Sequence, residues 1–90
     1  MHTVTLDGST VNDPTCLHEA LARNLAFPEW YGGNLDALYD CLTDLQQDTQ
    51  LVITHWHHVA YTLKDYSEKL LYVFSCATAE NPHLTVALHP

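Results

Sequence analysis

Apolar positions recur along this chain with two different periods. Thr3-Val4-Thr5-Leu6 alternates apolar and polar residues, the pattern of a half-buried strand, and Asp7-Gly8 is a turn signal directly after it. Asp13-Pro14 then reads as an N-cap followed by proline at the first helical position. Leu17, Ala20, Leu21 and Leu25 follow at helical spacing, and Pro28 forbids continuation. Asn34 can cap a second helix, in which Leu35, Leu38, Leu42 and Leu45 fall on one face. Gln46 to Gln50 reads as a polar connection.

Leu51-Val52-Ile53-Thr54 is a short run with branched residues, consistent with a buried strand. His57 to Lys64 predicts a short helix with Val59 and Leu63 inward. Ser67 can cap a last helix with the apolar stripe Leu70, Leu71, Phe74 and Ala77, closed by Asn81-Pro82. Leu84 to Leu88 reads as a terminal strand. Strands separated by helices imply an α/β fold, with a small three-stranded parallel sheet built from right-handed crossovers and flanked by about four helices.

Ninety residues, 47% of them apolar, are enough for one domain across residues 1–90 and leave no room for a separate catalytic domain. A chain of this size buries roughly 60–65% of the surface its unfolded form exposes, enough for one core. The opening Met1 to Thr10 lacks a basic head and an apolar run, so no signal peptide is expected. No apolar stretch approaches the ~20 residues of a membrane span. Cys16, Cys41 and Cys76 are an odd set without CxxC spacing, which suits reduced thiols in a cytosol. A cytoplasmic monomer is expected.

Charge changes this picture. Eleven Asp and Glu face only Arg23, Lys64 and Lys69, for a formal net charge of -8. Such a field repels nucleic acid and anionic membrane and draws in basic partners, although acidic domains are also commonly just soluble. The acidic residues are not spread evenly. Asp36, Asp40, Asp44 and Asp48 stand at successive i, i+4 positions on the side of the second helix turned away from its leucines, and no basic residue occurs between Arg23 and Lys64. Like charges at this spacing destabilise a helix by roughly 0.2–0.5 kcal/mol per pair. Asp36 benefits from the helix N-terminus, Asp40 and Asp44 lie deeper, and Asp48 falls beyond the helix end.

Two readings of the stripe stay open. It is either a solvated face, tolerated because each penalty is small, or a surface built for a cationic partner. Trp30, Tyr31, Tyr39 and Thr43 favour the second, because aromatics beside charges make anchors of low entropic cost. Trp30 and Tyr31 sit in the short loop Glu29 to Gly33, where either can also plug a helix–sheet junction; for Tyr31 the two roles weigh equally.

The run Pro28-Glu29-Trp30-Tyr31-Gly32-Gly33-Asn34-Leu35-Asp36-Ala37-Leu38-Tyr39-Asp40-Cys41-Leu42-Thr43 resembles the signature of the barstar family, inhibitors of barnase-type guanyl-specific ribonucleases. The similarity extends more weakly through Leu51-Val52-Ile53, Val73-Phe74 and Ala77, and Leu84 to Leu88. The resemblance implies a barstar-like parallel sheet flanked by helices, and an intracellular inhibitor whose partner is a basic, extracellular-type ribonuclease. It implies that Asp40 enters the ribonuclease's phosphate-binding site, that Asp36 is a second acidic contact, and that Trp30 covers a catalytic histidine. Gly32 and Asn34 match the loop and cap beside it, and Tyr39 matches another aromatic contact. Where the family has a contact glutamate on the last helix this chain has Cys76, with Glu80 one turn further along. Asp44 replaces a small residue, and a family aromatic falls near Leu45. The partner-binding set is therefore Trp30, Tyr31, Gly32, Asn34, Asp36, Tyr39, Asp40, Thr43, Asp44 and Glu80.

Other functions fit less well. His55, His57 and His58 cluster, and imidazole suits zinc, nickel or copper, but no paired cysteine or carboxylate spacing accompanies them, so no metal site is expected. Two carboxylates on one convex helix face cannot flank a substrate as a glycosidase pair does, and Cys41 lies beside the leucine stripe, where a thiol is buried and inert. No catalytic residue and no cofactor is expected. The alternative is an acidic interaction module, an immunity or antitoxin protein for a different basic toxin or a nucleic-acid-binding protein.

Overall fold

A computed structural model of the chain describes residues 2–90. In chain order the elements are β1 (His2–Asp7), a single 3-10 turn (Gly8–Thr10), α1 (Pro14–Leu25), α2 (Leu35–Thr43), β2 (Thr49–Thr54), α3 (Trp56–Leu63), α4 (Asp65–Glu80) and β3 (Leu84–Leu88). The strands form one parallel sheet in the order β1-β2-β3, with Val4 opposite Leu51, Leu51 opposite Val86, Leu6 opposite Ile53 and Ile53 opposite Leu88. Parallel neighbours require a crossover, and α1 with α2, then α3 with α4, supply the two.

Parallel sheets are usually covered on both faces. This one is buried on one face, where Val4, Leu6, Leu51, Ile53 and Leu84 meet the helices, while Thr3, Thr5 and Thr85 on the other face are exposed and Gln50 and Val52 are half-buried. The run from Leu51 to Thr54, expected as a buried strand, alternates: Leu51 and Ile53 are buried and Val52 and Thr54 half-buried. β2 also starts at Thr49, so Thr49 and Gln50, expected in a polar connection, belong to the sheet. Thr49 can enter because its side-chain hydroxyl donates to the Gln47 carbonyl at 2.9 Å while its backbone joins the ladder.

α1 follows the expected chemistry. The Asp13 carboxylate accepts from the Cys16 N–H at 2.7 Å, Pro14 occupies the first turn, and Leu17, Ala20, Leu21 and Leu25 are buried. At Gly8 a Cβ would overlap the Thr54 carbonyl oxygen and crowd Val59, so only glycine lets the first turn close against β2 and α3.

α4 differs at its start. It begins at Asp65, and Ser67 does not cap it; that side chain is buried in the first turn, its Oγ donating to the Lys64 carbonyl at 2.6 Å. Lys64 holds the boundary instead, at φ 53° and ψ -121°, with no side-chain cap. Leu71, expected in the apolar stripe, is 38% exposed; Leu70, Phe74 and Ala77 form the buried edge, and Leu71 lies about 100° round the helix from Leu70. No helix among the described residues is long and apolar enough to cross a membrane.

α1 ends on Ala26 in the left-handed conformation, φ 55° and ψ 46°, with the Phe27 N–H donating to the Ala22 carbonyl at 2.9 Å. Glycine occupies such a position without the clash between Cβ and carbonyl. Ala26→Gly is therefore expected to raise unfolding free energy by about 0.5–1 kcal/mol, read from urea denaturation; a lower midpoint contradicts this account of the helix end.

Candidate protein-binding surface

The loop between α1 and α2 turns on a hydrogen bond from the Tyr31 N–H to the Pro28 carbonyl at 3.0 Å. Its two aromatic side chains part company. Trp30 stands out in solvent, 76% exposed. Tyr31 folds inward against Phe27, ring centroids 4.9 Å apart, and its hydroxyl lies 2.6 Å from Nδ1 of His18. His18 is buried, and its Nε2 lies 2.6 Å from the hydroxyl of Tyr66 on α4. In neutral imidazole one ring nitrogen donates and the other accepts, so both tyrosine hydroxyls are satisfied by one side chain. This chain of three ties the loop to α1 and α4. Burial pushes the His18 pKa down and the Tyr31 pKa well up.

Gly33 adopts φ 68°, and Asn34 follows in extended conformation with its Oδ1 accepting from the Ala37 N–H at 2.8 Å. The expected cap is thus present. Gly32 packs close to it, since a Cβ there would sit 3.2 Å from Asn34 Nδ2.

α2 is shorter than its leucine spacing suggests. Leu38 and Leu42 are buried and Leu35 half-buried, but the helix ends at Thr43 and Leu45 lies beyond it. The Thr43 hydroxyl donates to the carbonyls of Tyr39 and Asp40 at 2.9 and 3.1 Å, drawing it into the last turn. Asn81, at the end of α4, closes this helix from outside. Its buried amide donates to the Leu42 and Leu45 carbonyls at 2.9 and 3.0 Å, and its Oδ1 accepts from the His83 N–H at 2.9 Å. The Leu42 carbonyl is one the helix end leaves without an intrahelical partner, and the Leu45 carbonyl belongs to the turn that follows.

The four-aspartate stripe is corrected by this geometry. Only Asp36 and Asp40 lie within α2. Asp44 is its C-cap, exposed at the negative end of the helix dipole. Asp48 is beyond the helix end, as expected, and meets His83 Nδ1 at 2.8 Å beside the sheet. Asp36 and Asp40 are exposed, and among the described residues the ion pairs are His83–Asp48 and His55–Asp7, so neither α2 carboxylate is paired to a lysine or arginine.

Tyr39 is half-buried beside them, facing α4. Its pKa is raised by burial and by the nearby Glu80, Cys76 and Asp40, which places Glu80 within electrostatic reach of the α2 face. Cys41 is buried, and burial together with Asp40 and Asp44 raises its pKa, the opposite of what a nucleophilic thiol needs. The histidine cluster disperses. His55, on the left-handed residue before α3, lies 3.1 Å from Asp7, His57 is exposed, and His58 Nε2 is 3.1 Å from the Val11 carbonyl oxygen. No group of three or more metal-ligating side chains converges among the described residues.

The surface so defined is a short capped helix carrying two exposed carboxylates, preceded by a loop with an exposed tryptophan. The model of the family described as Barstar (barnase inhibitor) matches residues 1–89. A protein of Bacillus subtilis (strain 168), described as "Putative ribonuclease inhibitor YrdF", is 35% identical over 81 residues, 89% of each chain. This chain belongs to the barstar family.

Periodicity and spacing reveal neither the buried His18 nor the reach of Asn81, named above only as the end of the last helix, to the end of α2. His18 falls beside the apolar stripe of α1, and only the tertiary packing brings Tyr31 and Tyr66 to it. Because burial lowers the His18 pKa, the unfolded chain binds this proton more tightly than the folded one. Its contribution is complete above the unfolded value of about 6.5 and is lost as pH falls from there to the lowered folded value. The thermal midpoint is expected to fall across that interval, and the loss attributable to this residue should vanish in His18→Gln; an unchanged pH profile in the variant refutes the assignment. Asn81→Ala is expected to lower unfolding free energy by about 1–3 kcal/mol, measured by denaturant titration, because two carbonyls lose their donor.

Proposed function

We propose that this protein is an inhibitor of a barnase-like ribonuclease and blocks its active site with α2. Membership of the barstar family and the ribonuclease-inhibitor description of the Bacillus relative support the reading. The observation that carries it is the pair Asp36 and Asp40, exposed and unneutralised on one face of a helix fixed at both ends. Folding gains little from Asp40, which lies beyond the first helical turn and four residues from another acid.

A ribonuclease active site is built to hold RNA phosphate with basic side chains. A carboxylate on a rigid helix accepts the same charge-assisted hydrogen bonds from arginine, and two carboxylates one turn apart mimic successive phosphate charges. Rigidity matters because ordering a mobile side chain on binding costs about 0.5–1.5 kcal/mol. Trp30 adds a large apolar face with few torsions to order, Tyr39 lies beside Asp36 and Asp40, Asp44 ends the same helix, and Glu80 is near enough to act on Tyr39. Gly32, Asn34 and Thr43 serve by shaping the loop and the helix ends. Tyr31 serves through its hydroxyl on His18, holding the loop from within. The net charge of -8 speeds encounter with a basic enzyme.

The test is inhibition of RNA cleavage by barnase. Stoichiometric loss of cleavage is expected, with association slowing as salt rises. Asp40→Ala is expected to weaken binding by at least ~2 kcal/mol, the hot-spot threshold, for which barstar is itself a standard example, while the thermal midpoint holds. Undiminished RNA cleavage at saturating protein would instead favour an acidic module for another basic partner.

A further inference from the structure

We propose that Tyr66 of α4 is a positioning residue for partner binding: through its hydroxyl on His18 it holds the loop that carries Trp30, acting from behind the loop. The inference rests on the inhibitor reading. The loop needs such a hold. Gly32 and Gly33 stand in succession, with Gly33 at φ 68°, so no Cβ stiffens this part of the main chain. Trp30 is exposed and supplies no packing of its own. Tyr31 therefore carries the anchorage, with its N–H on the Pro28 carbonyl, its ring on Phe27 and its hydroxyl on His18.

The last of these contacts depends on Tyr66. Neutral imidazole has one donor and one acceptor nitrogen, and both meet a tyrosine hydroxyl at 2.6 Å. One hydroxyl accepts from the ring and the other donates to it, so a single proton couples Tyr66 to Tyr31. His18 is 2% exposed, and its ring cannot turn to water instead. Removing the Tyr66 hydroxyl leaves Nε2 buried without a partner and frees the ring proton to change nitrogen, so the Tyr31 bond loses its fixed direction. α4 presents Tyr66 beside a strained joint. Lys64 alone separates α3 from α4, and its φ of 53° and ψ of -121° suit glycine rather than a side chain. The Ser67 hydroxyl fixes that joint by donating to the Lys64 carbonyl. Between the two, Tyr66 packs its ring against the core and stands edge-on to His18, the ring planes 86° apart. Such strain persists only where surrounding contacts hold it, and here it sets the direction of the turn from which Tyr66 reaches His18.

Amide hydrogen exchange and calorimetric titration with barnase, on the unaltered chain, Tyr66→Phe, Trp30→Ala and the double variant, test this. Phenylalanine keeps the packed ring and removes only the hydroxyl. Exchange at the Tyr31 amide is expected to speed up at least about tenfold more than at the Leu51 and Ile53 amides of β2, a local loosening that general destabilisation does not produce. Tyr66→Phe is expected to raise Kd at least about fivefold, and by less than about twofold when Trp30 is already alanine, because the hydroxyl acts through that side chain. Equal speeding of loop and strand exchange, or an undiminished loss in the Trp30→Ala background, overturns the proposal. If the unaltered chain binds barnase and Tyr66→Phe binds it equally well, the positioning role falls and the inhibitor reading stands. If the unaltered chain does not bind barnase, both fall together.

Discussion

The pinning of α2 at its two ends is the constraint on which the surface depends. At the N-terminus Asn34 accepts from the Ala37 N–H, and at the C-terminus the Asn81 amide reaches across from α4 to the Leu42 and Leu45 carbonyls. Between them Leu38 and Leu42 are fully buried. A nine-residue helix is too short to be stable alone in water, and its carboxylates disfavour it further. Tertiary contacts therefore hold it, and the carboxylates on its outer face inherit that rigidity.

The loop before α2 is held by the same logic with different chemistry. His18 is buried between two tyrosine hydroxyls, one from the loop and one from α4. Every buried side-chain nitrogen and oxygen among the described residues has a hydrogen-bond partner. A satisfied buried network of this kind specifies one arrangement, because any alternative packing strands a polar group away from water. Tyr31 is thereby committed to the interior and Trp30 to the exterior. Tyr31 is further held by its N–H on the Pro28 carbonyl and by its ring against Phe27.

The one-sided sheet explains how ninety residues suffice. The strands present most of their apolar residues to one helical layer, and the outer face carries Thr3, Thr5, Thr54 and Thr85 beside Gln50, Val52 and Ala87; threonine tolerates both strand geometry and water. The helices build the core with their inner sides, while α2 and α4 carry the acidic face on their outer sides. An acidic groove is lined by residues of α2 and α4, whose Leu38, Leu42, Leu70 and Phe74 belong to the buried core.

Much of this was legible in the linear chain. Alternation at Val4 and Leu6, helical spacing at Leu17, Leu21 and Leu25, and the Asp13 and Asn34 caps depend on contacts within a few residues, so sequence order encodes them directly. The same locality made the acidic spacing visible. It also explains the failures. Ser67 looked like a cap because serine often is one, but its hydroxyl instead satisfies the Lys64 carbonyl within a helix that begins earlier. Leu71 matched a stripe whose width only the neighbouring elements could decide, and the leucine spacing at Leu45 ran past a helix that Thr43 and Asn81 close. The sequence by itself determined which residues alternate, which cap, and where negative charge accumulates, since these are properties of neighbours along the chain. Only the tertiary structure decided that Asp36 and Asp40 stay free while Asp48 meets His83, that Tyr31 turns inward, and that α4 completes a groove, because each depends on groups tens of residues apart meeting in space.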